Sequence, residues 1–116
     1  MSVSFNASAQ RQTFFSKPSD TNAATIYTCN NVRSATLEGM NIATTGAANV
    51  TVWLNNGTTD YLMLDAYAMA SYDQVLHTFG HPVMRDGWTV KVKTSSASNV
   101  TFTVTIAEET GNLDAR

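Results

Sequence analysis

Trp88-Thr89-Val90-Lys91-Val92-Lys93-Thr94 and, after a short gap, Val100-Thr101-Phe102-Thr103-Val104-Thr105-Ile106 decide the class of fold. In the first stretch Trp88, Val90 and Val92 alternate with Thr89, Lys91 and Lys93. In the second, Val100, Phe102, Val104 and Ile106 alternate with Thr101, Thr103 and Thr105. Successive side chains of a strand point to opposite faces, so each stretch has one buried and one open face. Ser95 to Ser98 between them reads as a hairpin loop.

Working outward, the same signal recurs upstream. Strands are expected over residues 24–29, 34–44, 49–55, 60–66 and 72–79, followed by the two above at 88–94 and 99–107. Asn56-Gly57 is a strong hairpin signal. Residues 80–87, with Gly80, Pro82 and Asp86-Gly87, read as turns. No segment has helical periodicity; residues 65–73, rich in Ala and Met, read as a loop. The expected fold is all-β: an antiparallel β-sandwich or jelly roll of about seven to eight strands. The sandwich domain spans residues 23–109, between an extended N-terminal arm at 1–22 and a C-terminal tail at 110–116.

Several middle strands carry apolar residues on both faces. In 49–55, Val50, Val52 and Leu54 take the core face and Trp53 the other. In 60–66, simple alternation puts Leu62 and Leu64 on one face and Tyr61 and Met63 on the opposite one. In 34–44, Leu37 faces away from Met40 and Ile42. Trp53, Tyr61 and Met63 are therefore expected to form an outward patch if their strands pair, and such patches mark interaction surfaces.

The N-terminal segment is polar but for Phe5 and the pair Phe14-Phe15, and Lys17-Pro18-Ser19-Asp20 reads as a turn. Two readings stand side by side. Either an arm, with a short strand near 12–16, docks its aromatics onto a neighbour, or Phe14 and Phe15 begin the first core strand.

Composition narrows the function. A chain of 116 residues makes one domain with one core. Only 14% of its residues are charged, against about 25% in a typical globular chain. Thr, Ser and Asn fill the polar positions, which suits a protein packed against others. Net charge is -2 and the basic residues are scattered, so nucleic-acid binding has no electrostatic support. No apolar run approaches the roughly 20 residues of a membrane helix, and residues 1–10 lack the pattern of a secretory signal. The three Asn-x-Thr triplets at Asn49, Asn56 and Asn99 read as strand and turn composition. Cys29 is the only cysteine, so no intrachain disulfide forms, and in a strand it reads as a small buried hydrophobe.

Catalytic constellations are missing. His77 and His81 have the spacing of helical metal ligands, but Gly80 and Pro82 put them at a strand end and turn, so no metal site is expected. There is no Gly-x-Ser-x-Gly elbow and no Gly-rich phosphate loop. The carboxylates Glu38, Asp60, Asp65, Asp73 and Asp86 suggest no pair for glycoside hydrolysis. The expectation is a non-enzyme without cofactor. A sugar-binding module is a rival, since Trp53, Tyr61 and Tyr67 could stack on sugar rings. Charge depletion beside aromatics favours a protein interface instead.

The order of the strands adds a resemblance. Thr25-Ile26-Tyr27-Thr28-Cys29 precedes a turn at Asn30-Asn31 and a strand ending in Asn41-Ile42-Ala43-Thr44. Val50-Thr51-Val52-Trp53-Leu54, Tyr61-Leu62-Met63-Leu64 and Gly87-Trp88-Thr89-Val90-Lys91-Val92-Lys93-Thr94 follow. This succession, over about residues 23–107, resembles the small β-sandwich virion proteins of tailed bacteriophages. The chain departs from that group at Cys29-Asn30-Asn31 and Ala68-Met69-Ala70, where Pro-Ala-Gly turns are common. The resemblance implies a structural virion protein: a capsid cement or decoration subunit, or a neck or tail accessory. It further implies synthesis in the host cytoplasm, a place on the capsid surface, the major capsid protein or neighbouring virion proteins as partners, and a homo-oligomer, with a trimer favoured. In that setting Phe5, Arg11, Phe14, Phe15 and Lys17 form a capsid-binding arm, and Trp53, Tyr61 and Met63 a subunit interface.

Overall fold

The computed structural model describes residues 9–109. Their strands are β1 (Ala9–Ser16), β2 (Ala24–Thr28), β3 (Ser34–Thr44), β4 (Ala48–Asn55), β5 (Asp60–Met69), β6 (Gln74–His77), β7 (Val83–Met84), β8 (Thr89–Thr94) and β9 (Val100–Glu109). One sheet has the order β1-β9-β3-β6, with the short β7 also on β3; the other has the order β2-β8-β4-β5. Every pairing is antiparallel. A five-stranded and a four-stranded antiparallel sheet, between which the chain crosses repeatedly, make a sandwich of the jelly-roll type, one of the two architectures expected. The first sheet is called sheet A below and the second sheet B.

Alternation builds the core. Val100, Phe102, Val104 and Ile106 of β9, with Leu37, Met40 and Ile42 beside them on β3, face Val90 and Val92 of β8 and Val50 and Val52 of β4, all buried. Each such side chain contributes about 1.5–3 kcal/mol by leaving water. Cys29 is among them, as expected, and burial raises the pKa of its thiol.

Bulges explain where alternation misleads. In β3 the register against β9 slips between Leu37 and Gly39, leaving Glu38 as the extra residue. Leu37 therefore does not face away from Met40 and Ile42; all three are 0% exposed. In β2 the register slips between Thr25 and Tyr27. Ile26 is the extra residue, and Tyr27 swings into the core opposite Val90.

β5 slips twice. Val52 pairs with Leu64 and Trp53 with Leu62, so Met63 is extra. Between the pairs Val50–Tyr67 and Val52–Leu64, β5 has two residues where β4 has one. Ala66 there has a φ of 44°, and its amide donates to Thr51 Oγ1. These kinks let β5 run on to Met69, through part of the stretch expected as a loop. Likewise β7 lies inside the stretch expected as turns, and β6 is shorter than the strand expected at 72–79.

β1 pairs along its whole length with β9, from Ala9 opposite Glu109 to Ser16 opposite Phe102. Residues 9–16 are thus a strand of sheet A, the second of the two readings of this segment. Phe14 packs against the core with its ring 4.9 Å from that of Tyr27.

The connections gather at two poles. At one, Thr45 donates to the Asn99 carbonyl and Ser98 to that of Pro18, tying three loops together. At the other, Arg33 donates to the Glu109 carbonyl, Gly87 to that of Cys29, and Asn31 to the Asp86 carboxylate. The Asn56-Gly57 turn lies at this second pole. Gly57 has a φ of 101°, open to glycine at no steric cost, and the Asn56 side chain accepts from the Thr58 and Thr59 amides.

Candidate functional site

The outer faces of the two sheets differ in character. On sheet A the register sets Phe15, Thr103, Asn41 and Leu76 in one row, and Arg11, Ala107, Thr36 and Val83 in another. Thr13 and Thr105 fill the space between, and Thr101 lies beyond the first row. Phe15 is 70% exposed, and Leu76 and Val83 are also exposed. The charges near these rows, Arg11 and Glu38, neutralise each other: Nε lies 2.7 Å from Oε1, and that hydrogen bond raises the arginine pKa. This face is rich in threonine, and apart from that pair its two rows hold no charged side chain.

Sheet B is more polar outside. Trp53 stands there, half-buried, with Leu62 beside it on β5 and Lys91 on β8. Lys91 Nζ lies 3.1 Å from Asp60 Oδ1. The Asp60 carboxyl is held below its usual pKa first by the Asn55 amide, which donates at 2.7 Å, and then by Lys91. Further along the same face a shallow polar hollow is lined by Thr21, Asn49, Thr51, Ala66, Lys93 and Ser95.

The expected patch is only partly assembled. Trp53 is outward, as alternation requires. Its neighbour on β5 is Leu62, 53% exposed, rather than Tyr61 or Met63. The bulge reverses the faces: Met63 packs against the core, while Tyr61 stands opposite the inward Leu54 at the sheet margin, half exposed. Tyr67, the third member of the imagined sugar platform, stands opposite the inward Val50. It meets His77 edge-on at 5.5 Å, and His77 stacks on Phe79 at 5.4 Å. These rings close the gap between β5 and β6, so the three aromatics do not share a face.

Among the proposed arm residues, Phe15 and Lys17 are exposed, Arg11 is committed to Glu38, and Phe14 belongs to the core margin. Phe5 lies outside the described residues. His77 points into the sandwich and His81 sits exposed in a turn with a φ of 56°. Among the described residues no group of three or more His, Cys, Asp or Glu is placed to hold a metal ion.

One polar cluster escaped the sequence. Glu108 is buried at the sheet A margin, where Gln12 donates to Oε1 at 2.5 Å. Tyr27 reaches from sheet B to donate to Oε2. Desolvation, then the bond to Glu108, raises the Tyr27 pKa well above that of a free tyrosine. The bulge at Ile26 that turns Tyr27 inward leaves no mark in the alternation, so spacing alone could not have found this contact.

No family model matches the chain, and no curated protein matches it. Its fold is that of several solved structures. A chain of the capsid asymmetric unit of cyanophage Pam1 superposes with a TM-score of 0.52 at 12% identity, over 90% of this chain and 89% of that one. A chain of the acid-stable capsid of Helicobacter pylori bacteriophage KHP30 does so with a TM-score of 0.50 at 10% identity, over 90% of each. A subunit of Bacillus endospore appendages, described as disulfide-linked pili, gives 0.57 at 17% identity, over 89% of this chain and 88% of that one. At these identities the likeness is one of fold.

Proposed function

We propose that this chain is a structural, non-catalytic virion protein of a tailed bacteriophage, a cement or decoration subunit that binds the major capsid protein and stabilises the head. The observation that carries this reading is the outer face of sheet A: threonine-rich, poor in charge and bearing exposed Phe15, Leu76 and Val83. Such a face suits broad contact with another protein. The jelly roll, shared over nearly the full length with chains from two phage capsids, gives it a setting.

In this reading the N-terminal segment ahead of β1, with Phe5, grips the shell together with Lys17 and Phe15. Trp53, with Leu62 beside it and Tyr61 at the sheet margin, meets sister subunits in a homo-oligomer, with a trimer favoured at local three-fold positions, while Met63 supports that surface from the core side. Avidity from several weak grips would then lock neighbouring capsomers. The subunit would sit on the capsid surface after synthesis in the host cytoplasm. Neck or tail placement is the second reading. The likeness to a disulfide-linked pilus subunit gains no support from chemistry, because Cys29, the chain's single cysteine, is buried. Sugar binding loses its platform with the separation of Trp53, Tyr61 and Tyr67.

The test is labelling of purified particles with an antibody to the chain, together with its copy number. Hundreds of copies spread over the head support cement. A ring of about a dozen at one vertex supports the neck, on the symmetry of closed rings, and absence from particles overturns the virion reading.

A further inference from the structure

We infer that β1, an edge strand of its sheet among the described residues, pairs antiparallel with β1 of a second copy of this chain, across a two-fold axis near Thr13. An edge strand carries a row of unpaired backbone amides and carbonyls, and proteins guard such edges with bulges, short strands, proline or charge. Three of the four edges here are guarded. β2 has five residues and a bulge at Ile26. β5 is broken by two register shifts. β6 has four residues. β1 has eight residues in unbroken register with β9, and contains no proline.

The one charge that could guard β1 is turned away from the edge. Arg11 lies over the small Ala107 of β9 and reaches Glu38 of β3. What remains along the edge is Gln10, Gln12, Thr13, Phe14, Phe15 and Ser16, neutral and able to meet a copy of itself without repulsion.

The partner follows from the same comparison. Since β2, β5 and β6 are all irregular or short, the one long regular edge that the described residues of another copy offer to β1 is its own β1. A contact of a strand with its own copy is isologous, hence two-fold. Antiparallel neighbours must share a face. Centring the pair on Thr13 sets Gln12 against Phe14 and Gln10 against Ser16. It also sets the exposed Phe15 opposite the partner copy's Arg11, whose aliphatic stem can cover part of the ring while the guanidinium stays with Glu38. Centring on Arg11 instead would set like charges opposite each other, and centring on Gln12 would leave Phe15 opposite Ala9. One strand pair is a small contact and therefore a weak one. A trimer would need a separate surface, such as the Trp53 face. The inference stands apart from the virion reading, and its failure would leave that reading in place.

The full chain carrying Thr13→Cys tests it. Antiparallel partners have Cα atoms about 4.5–5.5 Å apart, within the roughly 4.4–6.8 Å that a disulfide spans. Cys29 is buried, so the new thiol is the one that reacts. Under mild oxidation, Thr13→Cys should form a covalent dimer at least about tenfold faster than Thr25→Cys on the β2 edge, through the high effective concentration of a paired strand. Equal rates would overturn the inference. Sedimentation of the unmodified chain should show a concentration-dependent dimer that Thr13→Lys removes while the far-ultraviolet spectrum stays unchanged. A dimer that persists in Thr13→Lys would also overturn it.

Discussion

The Tyr27 hydroxyl donates to Glu108 Oε2 at 2.5 Å, joining the two sheets through a hydrogen bond at the margin of the core. A donor to a buried carboxylate contributes about 1.5–3 kcal/mol. Tyr27→Phe should lower the stability measured by urea titration by about that amount, with the slope of the transition unchanged. Gln12 still holds the other oxygen, so the variant should fold.

The same bond sets an alkaline limit. The folded Tyr27 pKa is raised by desolvation and by Glu108. Below the unfolded value of about 10 both states keep the proton and the contribution is whole. Above it the unfolded chain loses its proton while the native state retains it, so stability falls as pH rises towards the folded value. The expected slope from this group is about 1.4 kcal/mol per pH unit. Denaturation at intervals from pH 8 to 11 should show a steeper loss in the native sequence than in Tyr27→Phe. Cys29, raised chiefly by burial, tilts both curves in the same sense, and its contact with Tyr27 holds part of that rise down in the native sequence.

The bulge at Met63 predicts an unequal pair. Leu62→Ser changes an exposed residue and should shift stability by less than about 0.5 kcal/mol. Met63→Ser removes a side chain packed on the core and should cost about 2 kcal/mol or more. Simple alternation predicts the reverse order, so one pair of urea titrations distinguishes the two.

Trp53→Ala should leave the melting temperature within about 4 °C of the native sequence, because the ring lies on the outer face. In the proposed role it should weaken association with sister subunits or with particles by about tenfold or more, as loss of an aromatic anchor does. Co-sedimentation with particles lacking the native chain measures this.

Phe102 sits near the start of β9, fully buried between the sheets. Phe102→Ala should cost about 3–5 kcal/mol, a large share of the 5–15 kcal/mol typical of a domain. Thermal unfolding followed by circular dichroism reports it.

The strands flanking Ser95–Ser98 were legible because β8 and β9 keep strict alternation and their inner residues meet directly. The two-sheet class followed from the spacing of the turns. The faces of Leu37, Tyr27, Leu62 and Met63 were not legible, because one inserted residue reverses every assignment beyond it. Nothing local in the sequence marks Glu38, Ile26 or Met63 as the inserted residue; their place depends on pairing with strands distant in the chain. Residues 9–16 were ambiguous for a related reason. A polar, singly aromatic-bearing face suits an arm as well as an edge strand, and only its pairing with β9 separates the two. Trp53 was found by pattern. The neutral face of sheet A was not, since Phe15, Leu76 and Val83 come from three separate strands.

Ala9 lies opposite Glu109, so the first and last described strands begin and end side by side. Topologically the domain is close to a closed circle. A short linker could join residues 9 and 109, and fresh ends could be opened in the exposed Ser95–Ser98 loop, the kind of site where circular permutation is tolerated. A passenger fused at either end of β1–β9 would leave from a single corner, at the same pole as the Asn56-Gly57 turn and opposite the loops around Thr45 and Asn99. A scaffold with both attachment points on one pole can carry two cargoes in contact with each other while its opposite pole stays clear.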